Sequence, residues 1–274
     1  MFYKFVKIPV NRLNLFLLCF CFIWNKLDAQ ILNIDREFAA DSLRKNWDFC
    51  GGINFSSDKQ KKNILNLNTS LEFDRFFKNK HVLLGMFKND LVYSGMSKIQ
   101  NEGMLHIRYR DNDQRKFSTE LYAQYQWNGA WGMEYRYLYG SNLRFKLFDK
   151  NKSDFYAGIG LFHENERWNY SGVADDVLAQ NTSKKERQMF RLNTYLKSSF
   201  KLSKSVDCSI VSYLQMPVNS NFKNLRWFLD ANVYYRATDK FSFFVHWDHF
   251  SDAYRVVPIQ TFYYSYSTGL MVNL

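Results

Sequence analysis

The chain of 274 residues contains few cysteines, the residues whose disulfides stabilise small secreted folds. It has 4 cysteines, and Cys19 and Cys21 fall in an N-terminal segment that we expect to be removed. The other two, Cys50 and Cys208, lie on predicted strands far apart in sequence. These numbers exclude a disulfide-rich secreted scaffold and do not favour a bridge between the remaining pair.

Proline and long apolar runs are also scarce. None of the 3 prolines interrupts a predicted strand, where a missing N–H would break the hydrogen-bond ladder. The apolar stretch 13–24 is shorter than the ~20 residues that a membrane-spanning helix needs, which disfavours a retained anchor. Basic residues precede it, and a cleavage site fits after Ala29. The sequence therefore predicts a secretory signal peptide over 1–29, followed by a polar periplasmic lead over 30–44.

The formal net charge is +11, from 37 basic and 26 acidic residues. Nucleic-acid binding would gather the basic residues on one face or helix. Here they scatter through predicted turns, as at Lys78 and Lys80 or Lys150 and Lys152. We therefore expect no nucleic-acid partner, and contact with outer-membrane lipid headgroups, including lipopolysaccharide, is the favoured use of the charge.

The chain contains segments in which apolar and polar residues alternate. The C-terminal segment Phe262–Leu274 places most of its apolar and aromatic residues on one face and mostly small or polar residues on the other. A period of two predicts a β-strand, and the segment exceeds the roughly 9–11 residues that cross a bilayer as a tilted strand. Aromatics make up 19% of a chain whose mean hydropathy is only -0.41. A barrel reconciles these values, because rings face lipid while the lumen and loops are polar.

Segments with this pattern follow one another to the C-terminus. We place them near 45–55, 62–76, 81–93, 102–111, 117–127, 131–147, 154–166, 187–200, 205–216, 226–237, 240–250 and 261–274. The predicted fold class is all-β, a single transmembrane antiparallel β-barrel of about 12 strands over 45–274. A soluble lipocalin-like barrel or a β-sandwich is the alternative. It would carry charge outside, whereas the predicted lipid faces of 117–127, 131–147 and 261–274 carry none.

Connection lengths predict the orientation. If the N-terminus is periplasmic, the short turns near 77–80, 112–116, 148–153, 201–204 and 238–239 lie on that side. The connections near 56–61, 94–101, 167–186, 217–225 and 251–260 are mostly longer and lie outside the cell. The exception is a tight outer hairpin at 128–130. Face parity there predicts that Trp127 and Trp131 both sit in the outer interfacial belt.

Several motifs follow one another in an order typical of one family. They are the stretch Arg108–Gln126, the Gly and Arg positions of 132–144, the run Tyr156–Gly160, and Glu164–Trp168. In these the chain resembles a bacterial domain-of-unknown-function family of salt-induced outer-membrane β-barrel proteins of Bacteroidetes type. The resemblance covers about 47–274. It implies an outer-membrane barrel with a role under osmotic stress, and it supplies no catalytic residues to carry over.

The predicted lumen faces carry acidic and basic side chains in near balance. The acidic ones are Asp48, Glu72, Asp74, Asp90, Glu120, Glu134, Glu164, Glu166, Asp207, Asp230 and Asp248. The basic ones are Lys88, Arg108, Arg110, Arg136, Arg144, Lys146, Arg191, Lys197 and Arg236, with His106 and His246. A strongly selective pore would show one sign in excess. Charges that face a barrel interior must be paired or hydrated, which favours a structural network of cross-strand pairs.

One group of lumen-facing residues is a candidate metal site. Glu164 and Glu166 on one segment, and His246 and Asp248 on another, are expected at the extracellular rim. Carboxylate and imidazole groups around one rim could bind a divalent cation, and a hydrated rim is the alternative. Ser242 and His246 are four residues apart, about 13 Å along a strand, which is too far for a catalytic Ser–His hydrogen bond.

These observations predict an outer-membrane barrel of a Gram-negative bacterium, inserted by the barrel assembly machinery, with no cofactor. The favoured role is a passive envelope component, either a narrow pore or a structural barrel. The alternatives are a barrel enzyme acting on lipid or peptide, and an adhesin that uses the 167–186 loop.

Overall fold

The computed structural model describes residues 47–59, 62–78, 80–112, 115–150, 153–174, 184–219, 224–238 and 241–272. The predicted signal peptide (1–29) and polar lead (30–44) lie outside these ranges. Twelve strands are present in them: β1 (Trp47–Lys59), β2 (Asn63–Phe76), β3 (Val82–Ser94), β4 (Ser97–Arg110), β5 (Phe117–Asn128), β6 (Met133–Lys150), β7 (Ser153–Trp168), β8 (Lys185–Lys201), β9 (Val206–Pro217), β10 (Arg226–Arg236), β11 (Phe241–Asp252) and β12 (Phe262–Val272).

The strands form one antiparallel sheet in which each strand pairs with the next along the chain, from β1 to β12. The predicted all-β class and the number of strands are confirmed. No helix in the described ranges is long and apolar enough to cross a membrane. Strand-to-next-strand order needs only hairpin connections, which is how an antiparallel barrel is built.

Side-chain contacts between distant strands show that the sheet is rolled into a barrel. The Tyr195 hydroxyl on β8 donates to Glu120 on β5 at 3.0 Å. Arg226 on β10 donates to Glu164 on β7, also at 3.0 Å. The Trp131 ring, between β5 and β6, stacks on Tyr263 of β12 with centroids 4.4 Å apart. Strands so far apart in sheet order meet only when the sheet curls around a common lumen.

The outside of the barrel is apolar and its inside is largely polar. Large exposed side chains follow the outward positions of the strands, for example Phe49 (69% exposed) and Leu143 (55% exposed). On β12, Phe262 and Tyr264 are exposed whereas Ser265, the residue after Tyr264, is buried. The predicted faces of this strand are therefore confirmed at these three positions. This is the reverse of a soluble barrel.

The connection predicted at 94–101 is wrong. β4 begins at Ser97, so only Gly95 and Met96 join it to β3. Gly95 has a positive φ of 63°, as the first central residue of a type II′ hairpin turn requires. Its N–H donates to the Asn63 carbonyl oxygen at 2.7 Å, which ties this turn to the start of β2. The polar run after the turn continues the strand although its alternation is weak.

The prediction for Trp131 is also wrong. The β5–β6 connection contains four residues, 129–132, and Gly132 has a positive φ of 81°. The β5–β6 and β6–β7 registers both shift here. In the second shift, Glu134 is skipped in the backbone pairing with β7, between Met133 and Tyr135. A bulge of this kind reverses which face a side chain occupies. Trp131 consequently turns inward and is 7% exposed instead of lying in the outer belt.

The same bulge moves Glu134 away from the lumen, where the alternation had placed it. Its carboxylate lies 3.2 Å from Arg167 Nε and 2.8 Å from Lys184 Nζ at the rim. The predicted 167–186 connection is shorter than expected, because β7 extends to Trp168 and β8 begins at Lys185. Residues 175–183 of it lie outside the described ranges.

Candidate functional site in the lumen

A group of buried charged side chains crosses the lumen toward the end where β7 finishes. It joins four arginines of β6, β8 and β10 to three carboxylates of β7 and β11. We call it the arginine–glutamate cluster, and its members are Arg136, Arg187, Arg191, Arg226, Glu164, Glu166 and Asp252.

Glu164 is at the centre of the cluster. It is fully buried and accepts hydrogen bonds from Arg136 Nε at 2.9 Å, from Arg226 Nη1 at 3.0 Å and from Arg191 Nε. An isolated buried carboxylate would be very costly, and three guanidinium groups supply the compensation. The lumen-facing positions predicted for Arg136, Arg191 and Glu164 are confirmed.

Arg226 connects the two sides of the cluster. Its Nη1 donates to Glu164 at 3.0 Å, its Nη2 to Glu166 at 3.1 Å and its Nε to Asp252 at 3.0 Å. One side chain therefore links β7, β10 and β11 across the lumen. The sequence analysis missed this residue because it stands first in its strand, directly after a connection. Arg226 and the inward-facing Asp230 both have even numbers on the same strand, and this parity was the signal that Arg226 faces the lumen.

Glu166 links the cluster to a connection at the same rim. Its Oε2 accepts hydrogen bonds from Trp168 Nε1 at 3.0 Å and from Arg187 Nη2 at 2.9 Å. Arg187 also donates to the Tyr254 carbonyl oxygen, and its guanidinium lies 5.0 Å from the Tyr254 ring centroid. Tyr254 belongs to the β11–β12 connection, so Arg187 links that connection to the cluster.

Apolar side chains from three connections and from strands β11 and β12 cover the cluster. We call this group the aromatic seal, and it comprises Trp131, Val173, Phe250, Val257, Ile259 and Tyr263. The Trp131 ring stacks on Tyr263 at 4.4 Å and on Phe250 at 5.5 Å. A cavity of about 20 Å³ is lined by seal and cluster residues together, and a cavity of that size holds one or two waters.

A second charged group lies around Glu120, which is also fully buried. Arg110 Nε lies 3.0 Å from its Oε1 atom, and Arg108 Nη1 and Arg144 Nε each lie 3.9 Å from the same oxygen. The Tyr195 hydroxyl donates to it at 3.0 Å. These inward positions confirm the predicted lumen face of β4, β5 and β6, and they add a second charged layer inside the barrel.

The candidate ligands on β11 form a separate group with β10 and β12. His246 Nε2 lies 3.0 Å from Asp230 Oδ2 and 3.9 Å from Asp248 Oδ2. The Ser265 hydroxyl donates to Asp248 at 2.7 Å, and Asn232 Nδ2 donates to Asp230 at 2.6 Å. The His246 side chain is 31% exposed, so this group lines the lumen without filling it.

The structure does not bring the four predicted metal ligands together. Glu164 and Glu166 are held by arginines, whereas His246 and Asp248 interact with Asp230. Within the described part of the chain, no group of three or more His, Cys, Asp or Glu side chains is arranged to hold a metal ion. The physical reason is competition, since guanidinium groups already occupy the carboxylate oxygens that a cation would need.

No family model matches this chain, and no curated protein matches it. Among solved structures, the chain is similar to the NanC porin in a rhombohedral crystal form, with a TM-score of 0.45 and 10% sequence identity. That match covers 82% of this chain and 99% of the porin chain.

Proposed function

We propose that the protein is a passive component of the outer membrane of a Gram-negative bacterium. In this proposal it is a barrel that keeps its lumen closed at rest, and membrane lipid and lipopolysaccharide surround it. The support for the membrane location is the inverted distribution of residues. An apolar, aromatic outer wall around a polar interior is stable only where lipid replaces water outside.

The observation that carries the closed state is the pair of layers at one end of the lumen. The arginine–glutamate cluster spans from β7 to β11, and the aromatic seal lies against it. Among the described residues, the cavity where the two layers meet has space for one or two waters. A porin with an open lumen would show a continuous water-filled passage instead.

A passive role is favoured over catalysis by the state of the polar groups. Glu164 and Glu166 are neutralised by arginines, so neither is a free general base. The Ser265 hydroxyl donates to Asp248, and the His246 ring is bonded to Asp230. Acyl transfer needs a serine and a histidine bonded to each other. The resemblance to salt-induced outer-membrane proteins adds a role in osmotic stress to this proposal.

The closed state is tested in planar lipid bilayers. The wild-type barrel should show little steady conductance, and Trp131→Ala should raise it because the variant removes the ring that stacks on Tyr263 and Phe250. Trp127→Ala is the matched control, since Trp127 covers Gly103 and bonds Asn101 at the wall of the barrel. A large steady current through the wild type, or equal currents in both variants, would refute the closed lumen.

The location is tested by fractionation and surface labelling. The mature protein should be recovered with the outer membrane and migrate differently before and after heating. A peptide tag inserted near Ala179 should bind antibody on intact cells. Recovery from the soluble periplasm would refute the membrane location, and labelling only after permeabilisation would invert the orientation.

A further inference from the structure

The connection between β11 and β12, residues 253–261, folds inward over the end of the lumen. Its Val257 and Ile259 side chains are 2% and 7% exposed and belong to the aromatic seal. Pro258, between them, is exposed. The connection therefore has an apolar face packed against the seal and an opposite face that is open to solvent.

Backbone hydrogen bonds hold this connection at its base. The Asp252 N–H donates to the Thr261 carbonyl oxygen at 2.9 Å, and the Ala253 N–H donates to the Leu225 carbonyl oxygen at 3.0 Å. Among the described residues, the one bond between backbone groups that involves 254–260 is internal to that stretch, at 2.8 Å. A segment with so few backbone bonds to its surroundings opens locally at a lower free energy than the barrel unfolds.

The side of the seal that faces this connection is tied down more firmly. Trp131 stands on the β5–β6 connection, whose Gly129 N–H donates to the Asn101 carbonyl oxygen of β4 at 2.8 Å. The Gly132 carbonyl oxygen accepts from the Asn169 N–H, also at 2.8 Å. Hydrogen bonds to two neighbouring elements thus fix the backbone on both sides of Trp131, so the 253–261 connection is the part of the seal that can move.

Two side chains join the connection to the charged layer beneath it. Asp252 Oδ1 accepts from the Tyr254 N–H at 2.9 Å, while Asp252 Oδ2 accepts from Arg226 Nε at 3.0 Å. Arg187 donates both to the Tyr254 carbonyl oxygen and to Glu166. Both backbone groups of Tyr254 are therefore bonded to members of the arginine–glutamate cluster. Loss of either contact would weaken the attachment of the connection without removing any side chain of the seal.

We infer that the 253–261 connection is a lid, hinged at its base, that opens toward the outside of the cell and is held shut by the cluster through Tyr254. Opening lifts Val257 and Ile259 out of the seal. It also admits water to the cavity of about 20 Å³ between seal and cluster, where the Arg226 side chain is part of the lining. This inference rests on the proposed function, because it states how a lumen that is closed at rest is opened.

The experiment measures access to a thiol under the lid on intact cells that express the full chain. Val257→Cys places the thiol on the buried face, and Pro258→Cys places it on the exposed face one residue later. The probe is a maleimide on a polyethylene glycol chain too large to cross the outer membrane, and the wild type, with its own cysteines, gives the background. We expect Val257→Cys to react, but at least about tenfold more slowly than Pro258→Cys, because its reaction waits for opening.

Further variants test the link between lid and cluster. Arg187→Gln should raise the rate of Val257→Cys about tenfold, because a contact that holds the lid is lost, and should leave the rate of Pro258→Cys unchanged. Lys185→Gln, at an exposed position of the same strand, should change neither rate. Met104→Cys, 1% exposed inside the barrel and outside the seal, should stay unreactive. Heat-dependent migration checks that every variant is folded.

Three results would overturn the lid. Val257→Cys could stay unreactive while Pro258→Cys reacts, which means a fixed plug, or both could react equally fast, which means that the connection covers nothing. The rate of Val257→Cys could also be unchanged by Arg187→Gln. If Pro258→Cys itself does not react, the proposed orientation fails, and the same comparison on purified barrel decides the lid. A large steady current through the wild type in bilayers refutes the closed lumen of the proposed function separately.

Discussion

Neighbouring polar residues on the two faces of β7 differ in their hydrogen bonding. Glu164 and Glu166 point into the lumen, and each accepts hydrogen bonds from arginines of other strands. His163 and Asn165 alternate with them on the outer wall, and each keeps a buried polar atom without a hydrogen-bond partner among the described residues. The polar character along these four positions is similar, so sequence alone does not separate the two environments.

The difference follows from what each face can reach. A side chain in the lumen meets residues from strands across the barrel, as Arg226 does from β10. A side chain on the outer wall meets only its neighbours on adjacent strands, here Tyr139 and Phe190 around His163. The hydrogen bonding of polar groups therefore depends on closure of the sheet inside the barrel and on the adjacent strands alone outside it.

The largest expected effect is the loss of Arg226. Arg226→Met leaves Glu164, Glu166 and Asp252 buried with fewer partners, and breaking a buried ion pair in this way costs about 3–5 kcal/mol. Unfolding in urea, followed by tryptophan fluorescence in detergent micelles, measures the loss. Arg236→Met is the control, because that side chain is 41% exposed and should cost below about 1 kcal/mol. Similar losses in both variants would contradict a special role for the cross-lumen links.

A smaller effect is expected for Arg187. Arg187→Gln removes the contacts to Glu166 and to the Tyr254 carbonyl oxygen, so it should cost about 1–3 kcal/mol and also loosen the β11–β12 connection. Bilayer conductance should rise with the loss of stability. The control is Lys185→Gln, an exposed residue two positions earlier on the same strand. If Arg187→Gln is less stable but conducts no more than the wild type, the arginine–glutamate cluster is not what keeps the lumen closed.

Replacing His163 and replacing His246 should change the stability of the barrel in opposite directions. His163→Leu replaces a polar side chain on the outer wall by an apolar one and should raise stability by about 1 kcal/mol. His246→Leu should lower it by about 1–3 kcal/mol, because it removes the hydrogen bond to Asp230 in the lumen. Urea unfolding of the two variants under the same conditions gives the comparison. Losses of equal size would mean that His163 is satisfied on the outer wall after all.

The smallest expected effect is that of metal ions. The arginines around Glu164 and Glu166 hold the oxygens that a cation would use, and His246 lies in another group. Neither a chelator nor added Zn²⁺ should shift the unfolding midpoint of the purified barrel. A midpoint that rises with Zn²⁺ and falls back in Glu164→Gln would restore the metal site that the sequence suggested.

Much of the fold was accessible from the sequence because strand faces are a local property. The alternation over Phe262–Leu274 placed Phe262 and Tyr264 outside and Ser265 inside, as the structure has them. Errors arose where local geometry breaks the period of two. Gly132 and the skipped position at Glu134 turned Trp131 inward, and Gly95 replaced a predicted loop by a two-residue turn.

Only part of the candidate site could be predicted from the sequence, and the reason is different. The inward positions of Glu164, Glu166, His246 and Asp248 could be read from parity, but their partners could not. Parity gives a face, whereas partner choice depends on which strands stand opposite each other across the lumen.

The sequence by itself determined that this chain forms long antiparallel strands with an apolar face and a polar face, because side-chain alternation follows from backbone geometry. Only the tertiary structure decided which polar groups are satisfied. Arg226 reaches Glu164 because rolling the sheet brings β7 and β10 within hydrogen-bonding distance. The same rolling directs Asn165 outward, where its Oδ1 atom has no hydrogen-bond partner among the described residues.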